Sequence, residues 1–288
     1  MFNLIFNPVA GKKLAFKNLE IVTRILDARG IEYKLYKTGG IHDAEYIARK
    51  LTRSGDVTDI IVFGGDGTLN EVLNGISFPH LCNLGLIPCG TGNDFAANMQ
   101  IPLDPEEAIL RILENEAKPV DYIEVSGTRC MNVSGLGIDV DVLERCQRGK
   151  MRGKMKYLLS LLTSLFTFKG IDVSIEKENG ETEERKVLIC ATCNGAVFGG
   201  GIKICPGAET SDEKMDVVIV DDPNGFFGRV NALLNLLQGK ILEVPYSTHF
   251  KADAVKFIPK VPCPIQLDGE VYQNHDYSAK VCKGLRFY

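Results

Sequence analysis

A chain of 288 residues with 45% apolar side chains is long enough for one large domain or two ordinary ones, and it can bury a core without disulfides. Its net charge of −4 excludes nucleic-acid binding through bulk positive charge, while leaving local phosphate sites open. Nine cysteines, an odd number at spacings that form no framework, read as the reduced thiols of a cytosolic protein.

In chain order, "NLIF" (3–6) is a short buried strand, and "NPVAGKK" (7–13) is a glycine turn after it. "LAFKNLEIVTRILDARG" carries apolar residues at helical spacing and stops at Gly30. "IEYKLYKT" alternates as a strand and ends at Thr38 before two glycines; "HDAEYIARKLTRSG" is a second helix closed by glycine. "DIIVF" is a buried strand, followed by the turn "GGDGT" and a helix, then "NLGLIP" and the loop "CGTGNDFAANM". "DPEEAILRILEN" opens with Asp104 as a cap, Pro105 in the first turn and acidic residues behind it. Alternating strands and helices imply a parallel sheet covered on both faces.

Past Val120 the pattern becomes short strands split by turn residues, among them "TRCMNVSGLGIDV", "KMDVVIVDD" and "CPIQLDGEVY", with an Asn-Gly hairpin expected in "KENGETEE". Two helices interrupt, at about 154–168 and 226–238. The expected division is an α/β nucleotide-binding domain over 1–125 and a mainly antiparallel β-sandwich over 126–288, whose last strand is free to return to the first domain. "YLLSLLTSLFTF" (157–168) is too short to span a bilayer, and "MFNLIFNPVAGKK" lacks the pattern of a signal peptide. Cys190 and Cys193 form a CxxC with strand-like flanks, read as a buried strand rather than a zinc or redox motif. His42, His80, His249 and His275 show no metal spacing.

The stretch "IIVFGGDGTLNEVLNG" (60–75) places Asp66 among glycines at the end of a buried strand. Glycines there let backbone amides approach phosphate oxygens, but the pattern is neither a Walker loop nor GxGxxG. A carboxylate at that point makes sense with a magnesium ion between it and a nucleotide's phosphates. "IPCGTGNDFAANM" repeats the design, with Gly90, Thr91 and Gly92 leading to Asp94. Four strand ends carrying small, amide-rich loops point to one shared ligand at the carboxyl edge of the sheet. "LDGE" (267–270) sets Asp268 and Glu270 either side of a glycine, where both acids can face one cleft.

"FGGDGTLNEVLNG" followed by "GLIPCGTGNDFA", and later "NGAVFGGGIKICPGAETSDEKMDVVIV" and "IQLDGEVY", resembles the diacylglycerol kinase catalytic-domain family, specifically its short bacterial lipid kinases, relatives of the sphingosine kinases. The resemblance runs through the whole chain. It implies an α/β domain similar to those of NAD kinase and phosphofructokinase, a β-sandwich, and a cleft between them. It implies ATP and Mg²⁺ as cofactors and a lipid hydroxyl, foremost that of diacylglycerol, as acceptor. Asn7, Pro8 and Gly11 match the first phosphate loop and Thr38 an ATP-contacting threonine. Gly64, Gly65, Asp66, Gly67 and Thr68 match the main loop, with Glu71 behind it, and Thr91 and Asp94 the second. Asp268 and Glu270 are both base candidates, and the resemblance does not choose between them. In "AETSDEKMD", Asp212 matches the side-chain ligand of a structural Mg²⁺, with Glu209 and Lys214 giving carbonyls; Glu213 stands where the family often has Gly. A peripheral cytoplasmic enzyme at the inner membrane surface is implied, with the basic run at 145–157 available to anionic lipid, and a homodimer is compatible. Two other readings stay open: an NAD-kinase-like enzyme with a soluble acceptor, and a catalytically silent nucleotide- or lipid-binding regulator.

Overall fold

The computed structural model describes residues 1–11, 14–148, 154–273 and 276–288. Part of the basic run, both lysines of "NPVAGKK" and His275 lie outside the described residues. The first half alternates strictly: β1 (Phe2–Phe6), α1 (Leu14–Ala28), β2 (Tyr33–Lys37), α2 (Asp43–Thr52), β3 (Thr58–Gly64), α3 (Asp66–Gly75), β4 (Cys82–Pro88), α4 (Asp94–Asn98), α5 (Pro105–Glu114) and β5 (Lys118–Val125). Glycine stops α1 at Gly30, whose φ is 64°. Asp104 caps α5 by accepting from the amides of Glu106 (2.9 Å) and Glu107 (3.1 Å). The parallel strands run in the order β2-β1-β3-β4, so the strand order switches sides between β1 and β3. That crevice is where a doubly wound sheet takes its ligands.

The second half holds β6 (Thr128–Cys130), β7 (Val133–Gly137), α6 (Ile138–Arg148), α7 (Lys154–Thr167), β8 (Ile171–Lys177), β9 (Thr182–Cys193), β10 (Val197–Phe198), β11 (Ile202–Lys203), β12 (Met215–Asp221), α8 (Phe226–Leu237), β13 (Ser247–Ala252), β14 (Ala254–Pro259), β15 (Ile265–Leu267), β16 (Glu270–Tyr272) and β17 (Tyr277–Phe287). Its pairings are antiparallel, and β8 and β9 join as a hairpin with Gly180 at φ 84°. One expectation fails locally. The strand read into "GLGIDV" ends at Gly137, whose φ of 144° turns the chain into α6. Asp139 and Asp141 in the first turn favour the helix, and Asp141 pairs with Arg145 one turn on (2.7 Å).

β17 pairs parallel with β4 and antiparallel with β5 and β14, so one mixed sheet runs through both halves. The first half has one apolar core around Phe6, Phe63, Phe95 and Phe287. The second half has two, one on each face of its sheet. Cys190 points into one and Cys193 into the other, so the CxxC is a buried strand with its thiols on opposite faces.

Candidate active site

The glycine loops meet at the crevice between β1 and β3. The Asn7 amide donates to Phe63 O (3.0 Å), and Asn7 Nδ2 donates to Thr68 Oγ1 (2.8 Å), fastening the first loop to the main one. Gly11 sits at φ 57°, and a Cβ there would fall 2.1 Å from Cys89 O, so the first loop is pressed against the strand end that leads into the second. Gly65 and Gly90 touch backbone to backbone: a Cβ on Gly65 would lie 2.8 Å from Gly90 Cα. Gly64 is equally confined, by Thr68. Thr38 is buried at the end of β2, its amide on Phe6 O (2.9 Å), and Thr91 and Gly92 are exposed.

These loops border two adjoining spaces. One, about 230 Å³, is lined by Asn7, Pro8, Thr38 and Glu71; the other, about 630 Å³, by Gly67, Asn70, Glu71 and Glu270. Glu71 Oε2 accepts from the Ala44 amide (3.2 Å), so its carboxylate caps α2.

Asp66 has a structural partner that its sequence neighbourhood hides. Its Oδ1 accepts from the Phe95 amide (3.0 Å) and its Oδ2 from the Asp94 amide (3.2 Å). The main loop thus caps the helix α4 of the second loop. Asp94 in turn accepts from the amides of Gly200 (2.9 and 3.1 Å) and Gly201 (2.9 Å), clasping the β10–β11 loop of the second half. Burial raises the Asp94 pKa, with Asp66 and Asp268 adding to the rise and the two amides opposing it. A carboxylate offers about four lone-pair positions. Two on Asp66 are taken, and the all-oxygen pair Asp66–Asp94 fits a magnesium ion by donor chemistry.

Asp268 and Glu270 have separate surroundings. Asp268 (φ 50°) and Gly269 (φ 86°) form the two-residue turn of the β15–β16 hairpin. The Asp268 carboxylate points inward and accepts from the amides of Met131 (2.7 Å) and Asn132 (2.8 Å) and from Asn70 Nδ2 (3.0 Å). It also accepts from Cys130 Sγ (3.0 Å). It locks β7 and the hairpin to α3. Glu270 is exposed, and its Oε1 would lie 3.7 Å from a Cβ on Gly67. Of the two acids only Glu270 presents its carboxylate to the main loop from across the cleft.

On the other side of the hairpin a narrow apolar cavity lies among α6, α7 and α8, lined by Leu161, Leu165, Leu233 and Leu236 and reaching Gly269. Asp139 projects into it. Among the described residues its Oδ1 and the nearby Gln266 Nε2 are buried without a hydrogen-bond partner. Burial pushes Asp139 up from 3.8 to about 6, outweighing the amides of the α6 N-terminus. A raised carboxyl pKa favours folding below the ordinary value, and that contribution is lost as pH rises through about 6. Asp139→Asn is therefore expected to gain stability over wild type between pH 4 and 8, by about 3 kcal/mol, and denaturant titrations at the two pH values check it.

The set Glu209, Asp212 and Lys214 lies on the turn before β12. Asp212 Oδ1 accepts from the Lys214 amide (3.1 Å), and Lys251 Nζ forms an ion pair with Oδ2. A cation at this turn would have to displace the Lys251 ammonium from Asp212 Oδ2. Asp121 holds the turn, donating to Thr210 O (2.7 Å) and accepting from the Glu213 amide (2.7 Å), with Glu213 at φ 65°.

Sequence reasoning assigned no role to Asn70, to Asn98 or to Asp139. Asn98 bridges the halves, its Nδ2 on Asn132 Oδ1 (2.8 Å) and its Oδ1 on the Ala196 amide (3.0 Å). For Asn70 the available signal was an amide side chain at a buried helical position, which demands a partner.

A family model, the diacylglycerol kinase catalytic domain, matches residues 1–125. A second, the YegS C-terminal NAD kinase beta sandwich-like domain, matches residues 132–284. A diacylglycerol kinase of Bacillus subtilis (strain 168) is 30% identical over 93% of this chain and 88% of its own. A probable lipid kinase YegS-like of Xanthomonas euvesicatoria pv. vesicatoria (strain 85-10) is 29% identical over 90% and 87%. A crystal structure of a diacylglycerol kinase from Bacillus anthracis str. Sterne superposes with a TM-score of 0.79 at 26% identity, covering 99% of this chain and 96% of that one. The chain belongs to the diacylglycerol kinase catalytic-domain family of lipid kinases, with the YegS-type β-sandwich as its second half.

Proposed function

We propose that the protein transfers the γ-phosphoryl group of ATP to a lipid hydroxyl, with diacylglycerol the foremost acceptor. One observation carries this reading: Glu270 faces the Asp66 loop at the mouth of the polar cleft, while Gly269, beside it in sequence, closes the end of the apolar cavity. A lipid whose tail occupies the cavity presents its headgroup at Glu270. The backbone amides of the glycine loops would hold the phosphates, and Asp66 and Asp94 would hold the magnesium ion, which supplies positive charge to the phosphate oxygens. Glu270 takes the proton of the acceptor hydroxyl as its oxygen bonds to the γ-phosphorus and the bond to ADP breaks. Asp139, whose Oδ1 lacks a hydrogen-bond partner among the described residues, is placed to accept from a second polar group on the lipid.

At about 60 Å³ the cavity is too narrow for an acyl chain as it stands, so a tail enters when α7 and α8 part. Phe166 stacks on Phe226 between these helices, with ring centroids 4.3 Å apart. Their outer faces also expose Leu159, Phe227, Leu234 and Leu237. An apolar surface of this kind on the helices that cover the cavity suits a bilayer. Among the described residues no helix is long and apolar enough to cross one. Phe227 is 86% exposed, so Phe227→Glu is expected to leave the fold intact. It should cut vesicle co-sedimentation and turnover on vesicle-borne lipid several-fold, and leave turnover on a short-chain dispersed lipid unchanged.

The test is phosphate transfer from γ-labelled ATP with Mg²⁺ to a panel of lipid alcohols in mixed micelles, with NAD included. A labelled lipid supports the reading and names the acceptor. Label on NAD alone, or on nothing while ATP still binds, overturns it.

A further inference from the structure

Cys205, Asp216 and His249 line neither the cleft nor the apolar cavity, and the histidine carries no metal spacing in the sequence. The fold nevertheless brings them together. Cys205 follows β11, Asp216 lies on β12 and His249 on the neighbouring strand β13, and one ligating atom from each lies within 4.8 Å of the others. Cys205 Sγ is 3.7 Å from His249 Nε2, and the same nitrogen is 2.6 Å from Asp216 Oδ1.

The shared nitrogen decides between two readings. A thiol–imidazole–carboxylate relay uses both ring nitrogens, one for the thiol and one for the carboxylate. Here Nε2 faces both, so sulfur, nitrogen and oxygen converge on a point instead of forming a chain. Convergence of S, N and O donors is the pattern of a zinc-class site, and the thiol argues against a hard ion such as magnesium. A tetrahedral zinc ion with Zn–S about 2.3 Å and Zn–N about 2.05 Å separates the two ligands by about 3.5 Å, close to the 3.7 Å observed. The His249–Asp216 contact must open by about 0.7 Å to reach zinc geometry. His249 can swing, because among the described residues β13 pairs only with β12, and its imidazole is 35% exposed. That exposure also leaves room for water as the fourth ligand. Asp216 keeps its other oxygen toward Lys251, 3.8 Å away.

We infer that Cys205, Asp216 and His249 bind a zinc-class divalent cation, independently of the acceptor. The ion ties the start of the 205–214 segment to the β12–β13 edge. The same segment grips Asp121 of β5, so the ion strengthens a contact between the two halves.

The experiment titrates the purified full chain with Co²⁺. A near-ultraviolet thiolate-to-cobalt band saturating at one equivalent is expected, abolished in Cys205→Ser, weakened in His249→Gln and displaced by Zn²⁺. Zn²⁺ at a hundredfold excess over its Kd should raise Tm by roughly 5 °C, Mg²⁺ should not, and both variants should lose the rise. If Cys205→Ser fails to fold, His249→Gln, on the edge strand, carries the comparison. Absence of the band in folded wild type overturns the site, as does a band of undiminished intensity in a folded variant, which places cobalt on another cysteine.

Discussion

Glu270→Gln is expected to lower kcat by about 10²–10⁴-fold and to leave stability within about 0.5 kcal/mol of wild type. Glu270 is exposed, so glutamine fits where it stands. What is lost is the group that the proposed reaction uses to accept the hydroxyl proton. A lipid alcohol is a poor nucleophile while it keeps that proton, and the carboxylate facing Gly67 is the acid placed to remove it. Asp268→Asn should behave in the opposite way. Its carboxylate accepts from Met131, Asn132, Asn70 and Cys130, and an amide nitrogen turned toward any of them meets another donor. Leaving such donors unpaired costs about 1–3 kcal/mol each. Asp268→Asn should therefore lose Tm, with turnover falling as folded protein falls. Turnover and melting curves of the two purified variants check both statements. Wild-type turnover in Glu270→Gln beside a well-folded, inactive Asp268→Asn would reverse the assignment.

Asp66→Asn should lose about 10²–10³ of kcat while the fold survives. Asparagine retains one oxygen for the Phe95 amide and gives up the bond from the Asp94 amide, a capping loss of about 1 kcal/mol. The missing negative charge would act elsewhere: in the proposed reaction Asp66 and Asp94 hold the divalent cation together, and the pair needs its full charge to do so. Turnover measured across Mg²⁺ concentrations, beside a melting curve, separates the two effects. Wild-type turnover in a well-folded variant would remove the role.

The parallel half was legible because its signals are local. Strands of "IIVF" type, glycine stops and the Asp104–Pro105 start are settled within a few residues, and the crowding at Gly65 and Gly90 explains why those positions are glycine. The site was legible as a set of loops and not as a wiring diagram. Asp66 reads as a phosphate-side acid, yet it also caps α4, and Asp94 clasps Gly200 and Gly201 from a distant part of the chain. Asp268 and Glu270 look equivalent in "LDGE"; their difference lies in residues 130–133, which no local pattern joins to the hairpin. α6 was misread because a strand pattern and a helix start share "GLGIDV", and only the backbone angle of Gly137 separates them. Asp139 went unnoticed because it lay in that strand reading, and nothing local shows that the walls around it are apolar.

β17 has a consequence for how the protein is made. Its pairing partner β4 emerges from the ribosome long before β17 is translated, and until then Asn83 and Leu84 of β4 face an open edge of the sheet. Such a margin is a template for pairing with another chain. The sheet of the nucleotide half therefore completes its pairing only after the second half has been made, in contrast to the usual domain-by-domain order. Contacts between strands so far apart in sequence also form slowly. Nascent chains should linger in a chaperone-dependent state, and kinase competence should arrive abruptly, with the closing strand.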